Sequence, residues 1–152
     1  MKLYTFIQSL FNRFTAPKKE TSSVVLVSDE NRIQFLPSFF GARYMLRGEH
    51  LVYVWMGRLC EDYNGAYWHF YETDCGARYM TPDIEAPVRI DVHGNGFEGD
   101  MSADAAGIVA TLFALGQLAQ ETREEYLIDF YHLLRNFAYE HPESSAIFRA
   151  ID

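Results

Sequence analysis

The sequence predicts an α+β fold: a single domain in which a small antiparallel sheet of two hairpins packs with several helices. Three observations predict it. The chain has 152 residues, of which 49% are hydrophobic and 16% aromatic, enough for one core and one domain. Aromatic and β-branched runs punctuated by turn residues cluster in the middle, at 66–101. Apolar residues spaced three and four apart lie before and after that cluster. Such segregation favours helices on one face of an antiparallel sheet over a βαβ alternation.

The first 23 residues differ in character from the rest and read as an amphipathic extension and linker, with the α+β domain at 24–152. Leu3, Phe6, Ile7, Leu10, Phe11 and Phe14 recur at helical spacing, and Lys2, Arg13, Lys18 and Lys19 make the segment basic. Pro17 stops the pattern, and the polar stretch 18–23 follows as the linker. Gln8, Ser9 and Asn12 interrupt any continuous apolar stretch of the kind a signal peptide needs. A helix docked on the domain, or a frayed extension, is the favoured reading. Contact with a membrane surface through residues 1–16 is the alternative.

Within the domain, residues 24–27 form a short β-branched run, and Ser28-Asp29-Glu30-Asn31 supplies turn or cap chemistry. Ile33, Phe35, Leu36, Phe39 and Phe40, with Pro37 among them and Gly41 after them, predict a short helix or turn. A helix is expected over 49–63, because Val52, Trp55, Met56, Leu59 and Tyr63 share one face. The Asn64-Gly65 pair is expected to end it.

Residues 66–73 then read as a strand, Asp74-Cys75-Gly76 as a turn, and 77–81 as the returning strand, ended by Pro82. Residues 88–93 alternate Val88, Ile90 and Val92 with Arg89, Asp91 and His93, the pattern of a half-buried strand. Gly94-Asn95-Gly96 is a tight turn, and 97–101 completes the second hairpin.

The remainder is helical. Ser102 is a good N-cap, with Asp104 in the first turn where the helix dipole favours an acid. Ile108, Val109, Leu112, Phe113 and Leu115 predict a largely buried central helix. Thr122 and Glu125 spell a capping box for a helix over 123–139. Pro142 suits the first turn of a last helix running to Ile151.

Composition narrows the function classes. Thirteen basic and 21 acidic side chains give a net charge of −8, which disfavours direct binding to DNA phosphates. The acids are scattered and form no run of five or six, so a mimic of duplex DNA is not indicated either. Two cysteines, Cys60 and Cys75, suit reduced thiols in a cytoplasmic protein. No unbroken apolar run reaches the roughly 18 residues of a membrane span.

Chemistry-bearing motifs are sparse. The five histidines form no His-Glu-x-x-His, and the cysteines form no Cys-x-x-Cys, so no metal or other cofactor is expected. Ser102 lacks the flanking glycines of a nucleophile elbow. Gly94, Gly96 and Gly99 spell Gly-x-Gly-x-x-Gly, but on a hairpin rather than between a strand and a helix. The enzymatic alternative is a metal-dependent hydrolase or nuclease using Asp83, Asp91, His93, Glu98 and Asp100, since clustered carboxylates hold Mg²⁺. Against it, no lysine occurs after Lys19, and Asp91 and His93 fall where strand alternation alone places polar groups outward.

Several longer stretches share one resemblance. They are Gly94-Asn95-Gly96-Phe97, then Met101 to Ile108 (Met-Ser-Ala-Asp-Ala-Ala-Gly-Ile), and Thr111-Leu112-Phe113-Ala114-Leu115. Phe35-Leu36-Pro37 with Phe40-Gly41, Leu59-Cys60-Glu61-Asp62-Tyr63 with Gly65 and Tyr67-Trp68, and the final Ala146 to Asp152 belong with them. Together they resemble the ArdB/KlcA antirestriction family over about residues 24–152. The resemblance implies relief of type I restriction of incoming mobile DNA, such as plasmids. It implies a noncatalytic protein whose partner is the type I restriction–modification complex or an associated host factor, and it carries no catalytic residues.

A partner surface is expected to show aromatics or charges beyond what packing needs. Three places qualify. One is the corner with Asp62, Tyr63, Tyr67 and Trp68. The second is the acid end of the sheet, with Glu98 and Asp100 beside Asp104. The third is Asp152, where a side-chain and a main-chain carboxylate meet directly after an apolar helix.

Overall fold

The computed structural model describes residues 21–152; the predicted amphipathic stretch lies outside the described residues. Strand β1 (Val24–Leu26) is followed by helices α1 (Arg32–Phe40) and α2 (Met45–Leu59). Strands β2 (Trp68–Thr73), β3 (Arg78–Pro82), β4 (Val88–Val92) and β5 (Phe97–Met101) come next. Helices α3 (Ala103–Thr122), α4 (Glu125–Ala138) and α5 (Ser144–Ile151) close the chain.

The two hairpins form where the turn residues predict them, but they do not join. One sheet has the order β1-β2-β3 and the other is the β4-β5 pair alone. The physical reason lies at the outer edge of β3. There Met80 turns its N–H and C=O away from β2, and the Thr111 hydroxyl of α3 takes both, accepting at 3.2 Å and donating at 3.4 Å. Helix α3 therefore covers the edge that a further strand would need. Thr111 is fully buried, so Thr111→Val leaves the Met80 N–H without a partner in the core. The expected cost is about 2 kcal/mol, read as a lowered urea midpoint at unchanged slope.

Helix α3 is the centre of the molecule and packs against α2, α4, α5 and β3. Ser102 caps it as predicted, its Oγ accepting from Ala105 N at 3.1 Å. By length and composition α3 is apolar enough to cross a membrane, although Asp104 and its glutamines interrupt any unbroken apolar run. Most of it is buried within the protein, which accounts for its apolar circumference.

Local signals misplace three boundaries. Helix α2 runs four residues earlier at both ends than the apolar spacing predicts, ending at Leu59, because Cys60 is extended (φ −128°, ψ 108°). Tyr63 is thereby freed to reach Trp68. The capping box at Thr122 and Glu125 does not form. Thr122 is the last residue of α3 and its hydroxyl donates back to Leu118 O at 2.8 Å. Arg123 turns the chain in the left-handed region (φ 62°), and Glu124 precedes α4 without a side-chain cap. Pro142 stands before α5 rather than in its first turn, Glu143 being the residue at its entry.

Candidate partner surface

The aromatic corner is built by α1, β2 and the 60–67 loop. Strand β2 alternates as expected, but both of its faces are aromatic, and only the fold decides which is buried. Trp68 and Phe70 face the core, at 4% and 3% exposure. Trp68 packs beside Tyr53 and Tyr63 with ring centres 5.2 and 6.1 Å away, and its Nε1 donates to the Tyr63 hydroxyl at 2.9 Å. Trp68 is thus not a surface ring, which corrects its place among the expected contact residues. Tyr67 is 54% exposed, lies edge-on to His69, and receives the Arg32 guanidinium over its face at 4.7 Å. Asp62 is exposed in the adjoining turn and Tyr63 is half-buried.

The acid end comes together around Arg89. Glu98 and Asp100 project from the same face of β5 and accept from that guanidinium at 2.6 and 3.3 Å. Asp100 also lines an open hollow of about 590 Å³ with Glu85, Ser102, Asp104 and Glu143. Asp104 is half-buried and fully engaged. It accepts from the Tyr79 hydroxyl at 3.2 Å and from His141 Nε2 at 3.0 Å. His141 Nδ1 accepts from Glu143 N at 2.9 Å, which leaves the ring proton on Nε2. Glu143 in turn accepts from the backbone N–H and the hydroxyl of Ser102. Burial, followed by the nearby Asp104 carboxylate, raises the Tyr79 pKa far above its ordinary value, so this phenol stays a donor.

Sequence reasoning places Ser102 and Asp104 but misses Tyr79, His141 and Glu143, which lie 25 to 41 residues from their partners. No local spacing encodes contacts that distant. Asn95 is likewise read only as a turn residue. Its side-chain amide donates to Ala150 O at 2.9 Å, and its Oδ1 accepts from Phe97 N at 2.9 Å. The second hairpin therefore also closes the end of α5. Asp152, beyond that helix, accepts from Arg135 at 3.3 Å.

The carboxylates of the hydrolase alternative are not gathered. Asp83 pairs with His69 at 3.4 Å, Asp91 faces His93 at 3.6 Å, and Glu98 and Asp100 share Arg89. Among the described residues no group of three His, Cys, Asp or Glu side chains is placed to hold a metal ion. Cys60 is buried and Cys75 exposed, both as free thiols.

Comparison with known proteins gives this surface its context. The family model described as "Antirestriction protein" matches residues 61–152. An antirestriction protein KlcA of Escherichia coli is 59% identical over 131 residues, covering 84% of this chain and 92% of that protein. A putative antirestriction protein YubI of Escherichia coli K12 is 32% identical over 134 residues, covering 83% and 93%. A solved structure from work on the KlcA and ArdB proteins superposes with a TM-score of 0.82 at 56% identity, covering 91% of this chain and all of that one. That work describes a novel fold and antirestriction activity against type I DNA restriction systems in vivo but not in vitro. With the family model spanning more than half of its residues and these relatives most of its length, the chain belongs to the ArdB/KlcA family of antirestriction proteins.

Proposed function

We propose that this protein relieves type I restriction of incoming mobile DNA by contacting a protein in the cytoplasm, without cleaving a bond itself. The observation that carries the reading is the match to KlcA, at 59% identity over most of both chains. The activity described for the solved relatives in vivo but not in vitro supports a target that needs a cellular component, whether the restriction complex in its working state or a host factor acting on it. The net charge of −8 supports a protein partner over DNA phosphates. Residues 24–152 carry the activity in this reading, with residues 1–23 accessory to it.

The contact surface is proposed at the acid end of β5, with Glu98 and Asp100, and at the corner with Asp62 and Tyr67. These groups are exposed and not needed for packing. Asp104, held by Tyr79 and His141, and Asp152, held by Arg135, flank them. Expression of the protein is expected to raise phage plating on cells with a type I restriction system and to leave plating on nonrestricting cells unchanged. Absence of protection would remove the proposal. Reversing both charges (Glu98→Arg with Asp100→Arg) is expected to lower protection by about tenfold, with an unchanged circular dichroism spectrum. Purified protein that cuts DNA when given Mg²⁺ would overturn the noncatalytic half.

A further inference from the structure

We infer that Asn64 is a site of spontaneous covalent modification: the Gly65 backbone nitrogen displaces its side-chain amide as ammonia, and water leaves aspartate or isoaspartate in its place. Two Asn-Gly pairs occur in the chain, Asn64-Gly65 and Asn95-Gly96. Both have the local sequence this chemistry needs, because a glycine after the asparagine puts no side chain beside the attacking nitrogen. The other described asparagines precede Arg32 and Phe137, which do. The tertiary structure then separates the two pairs.

In the second hairpin both reacting groups are engaged. Asn95 Nδ2 donates to Ala150 O at 2.9 Å, and Oδ1 accepts from Phe97 N at 2.9 Å. Gly96 N, the attacking atom there, donates to Val92 O at 2.9 Å. Gly96 N and Asn95 Cγ therefore meet only after the turn opens and these bonds break. Asn64 and Gly65 lie in the 60–67 loop, outside any helix or strand, and both are exposed. Among the described residues neither the Asn64 side chain nor the Gly65 N–H has a hydrogen-bond partner. Gly65 sits at φ 109°, and a Cβ on it would meet nothing within 4 Å. The peptide unit between the two residues can rotate until Gly65 N faces Asn64 Cγ without giving up a hydrogen bond or a packed contact of Gly65.

The step balances without an oxidant or a metal. Gly65 N gives its proton to solvent and bonds to Asn64 Cγ, while the side-chain nitrogen takes a proton from solvent and leaves as ammonia. The product is a cyclic imide, and water opens it at either carbonyl. Opening at Cγ restores the main chain with aspartate. Opening at the main-chain carbonyl leaves the chain running through Cβ and Cγ, as isoaspartate. Either product adds a carboxylate beside the exposed Glu61 and Asp62, taking the net charge from −8 to −9. Isoaspartate also lengthens the main chain by a methylene between Tyr63, which holds the Trp68 indole, and Tyr67, which lies under Arg32. The corner with Asp62 and Tyr67 thus changes in charge and in backbone length as the protein ages.

Mass spectrometry of the full-length protein tests this. The folded chain is incubated at mildly alkaline pH, where the attacking nitrogen loses its proton more readily, and is then digested with pepsin in acid, where ring closure stalls. Asn64 is expected to lose ammonia at least about tenfold faster than Asn95, and its aspartate and isoaspartate peptides are expected to separate as two peaks. In concentrated urea the hairpin and its bonds are gone, each site is an open Asn-Gly pair, and the two are expected to react at similar rates. An Asn64 amide that stays intact in the folded chain while the urea-unfolded chain reacts overturns the inference. So does loss at Asn95 as fast as at Asn64 in the folded chain, or a preference for Asn64 of the same size in urea.

Discussion

Trp68→Ala is expected to lower the stability of this protein by about 3–5 kcal/mol. The whole fold of such a domain is worth only about 5–15 kcal/mol. The ring is 4% exposed, lies against Tyr53 and Tyr63, and holds the Tyr63 hydroxyl through Nε1. Truncation removes the contact area, leaves a cavity and orphans the Tyr63 partner together. Urea unfolding followed by circular dichroism measures the loss. Trp68→Phe keeps most of the buried ring and gives up the hydrogen bond, so about 1–2 kcal/mol is expected. The comparison matters for function. Lost antirestriction in Trp68→Ala would report a population that is partly unfolded rather than a missing contact. A variant that keeps its midpoint yet loses protection would return Trp68 to the surface.

Gly107→Ala is the second large effect, at about 3 kcal/mol or more. Gly107 lies in the first half of α3, where that helix crosses β3. A Cβ there would sit 2.4 Å from Met80 O and 2.7 Å from Thr81 Cα. Both obstacles are backbone, so no rotamer change relieves them. Separation of α3 from β3 would also stretch the Thr111 bonds to Met80. The gain of about 1 kcal/mol that alanine normally brings to a helix interior is too small to compensate. Gly57→Ala is the control. Its nearest neighbour is the Tyr63 ring at 4.0 Å, so that variant should be stabilised by about 0.5–1 kcal/mol. Equal midpoints for the two alanine variants would refute the steric account.

Both residues belong to stretches that resemble the antirestriction family, and both act through the fold. The glycine of Met101 to Ile108 permits the crossing of α3 over β3, and Ser102 caps the same helix. The candidate contact residues are different ones, the exposed acids of β5 and Tyr67, which precedes Trp68 in the same stretch.

The sequence by itself determined the α+β class, both hairpins with their turns, the capped central helix and the family. Those features depend on spacing within a few residues: alternation in β4, glycine at a turn, Ser102 three positions before the amide it caps. The tertiary structure decided what local spacing leaves open. In β2 both faces are aromatic, so burial of Trp68 and Phe70 rather than of His69 and Tyr71 follows only from where the helices lie. Thr122-x-x-Glu125 spells a cap, but Thr122 remains in α3 and Arg123 makes the turn. The hairpins stay in separate sheets, with α3 occupying the edge of β3 through Thr111. The bonds joining Asp104 to His141 and Asn95 to α5 span 37 and 55 residues. Such contacts are chosen by the packing of whole elements against one core, and that choice leaves no periodic trace in either partner's own neighbourhood.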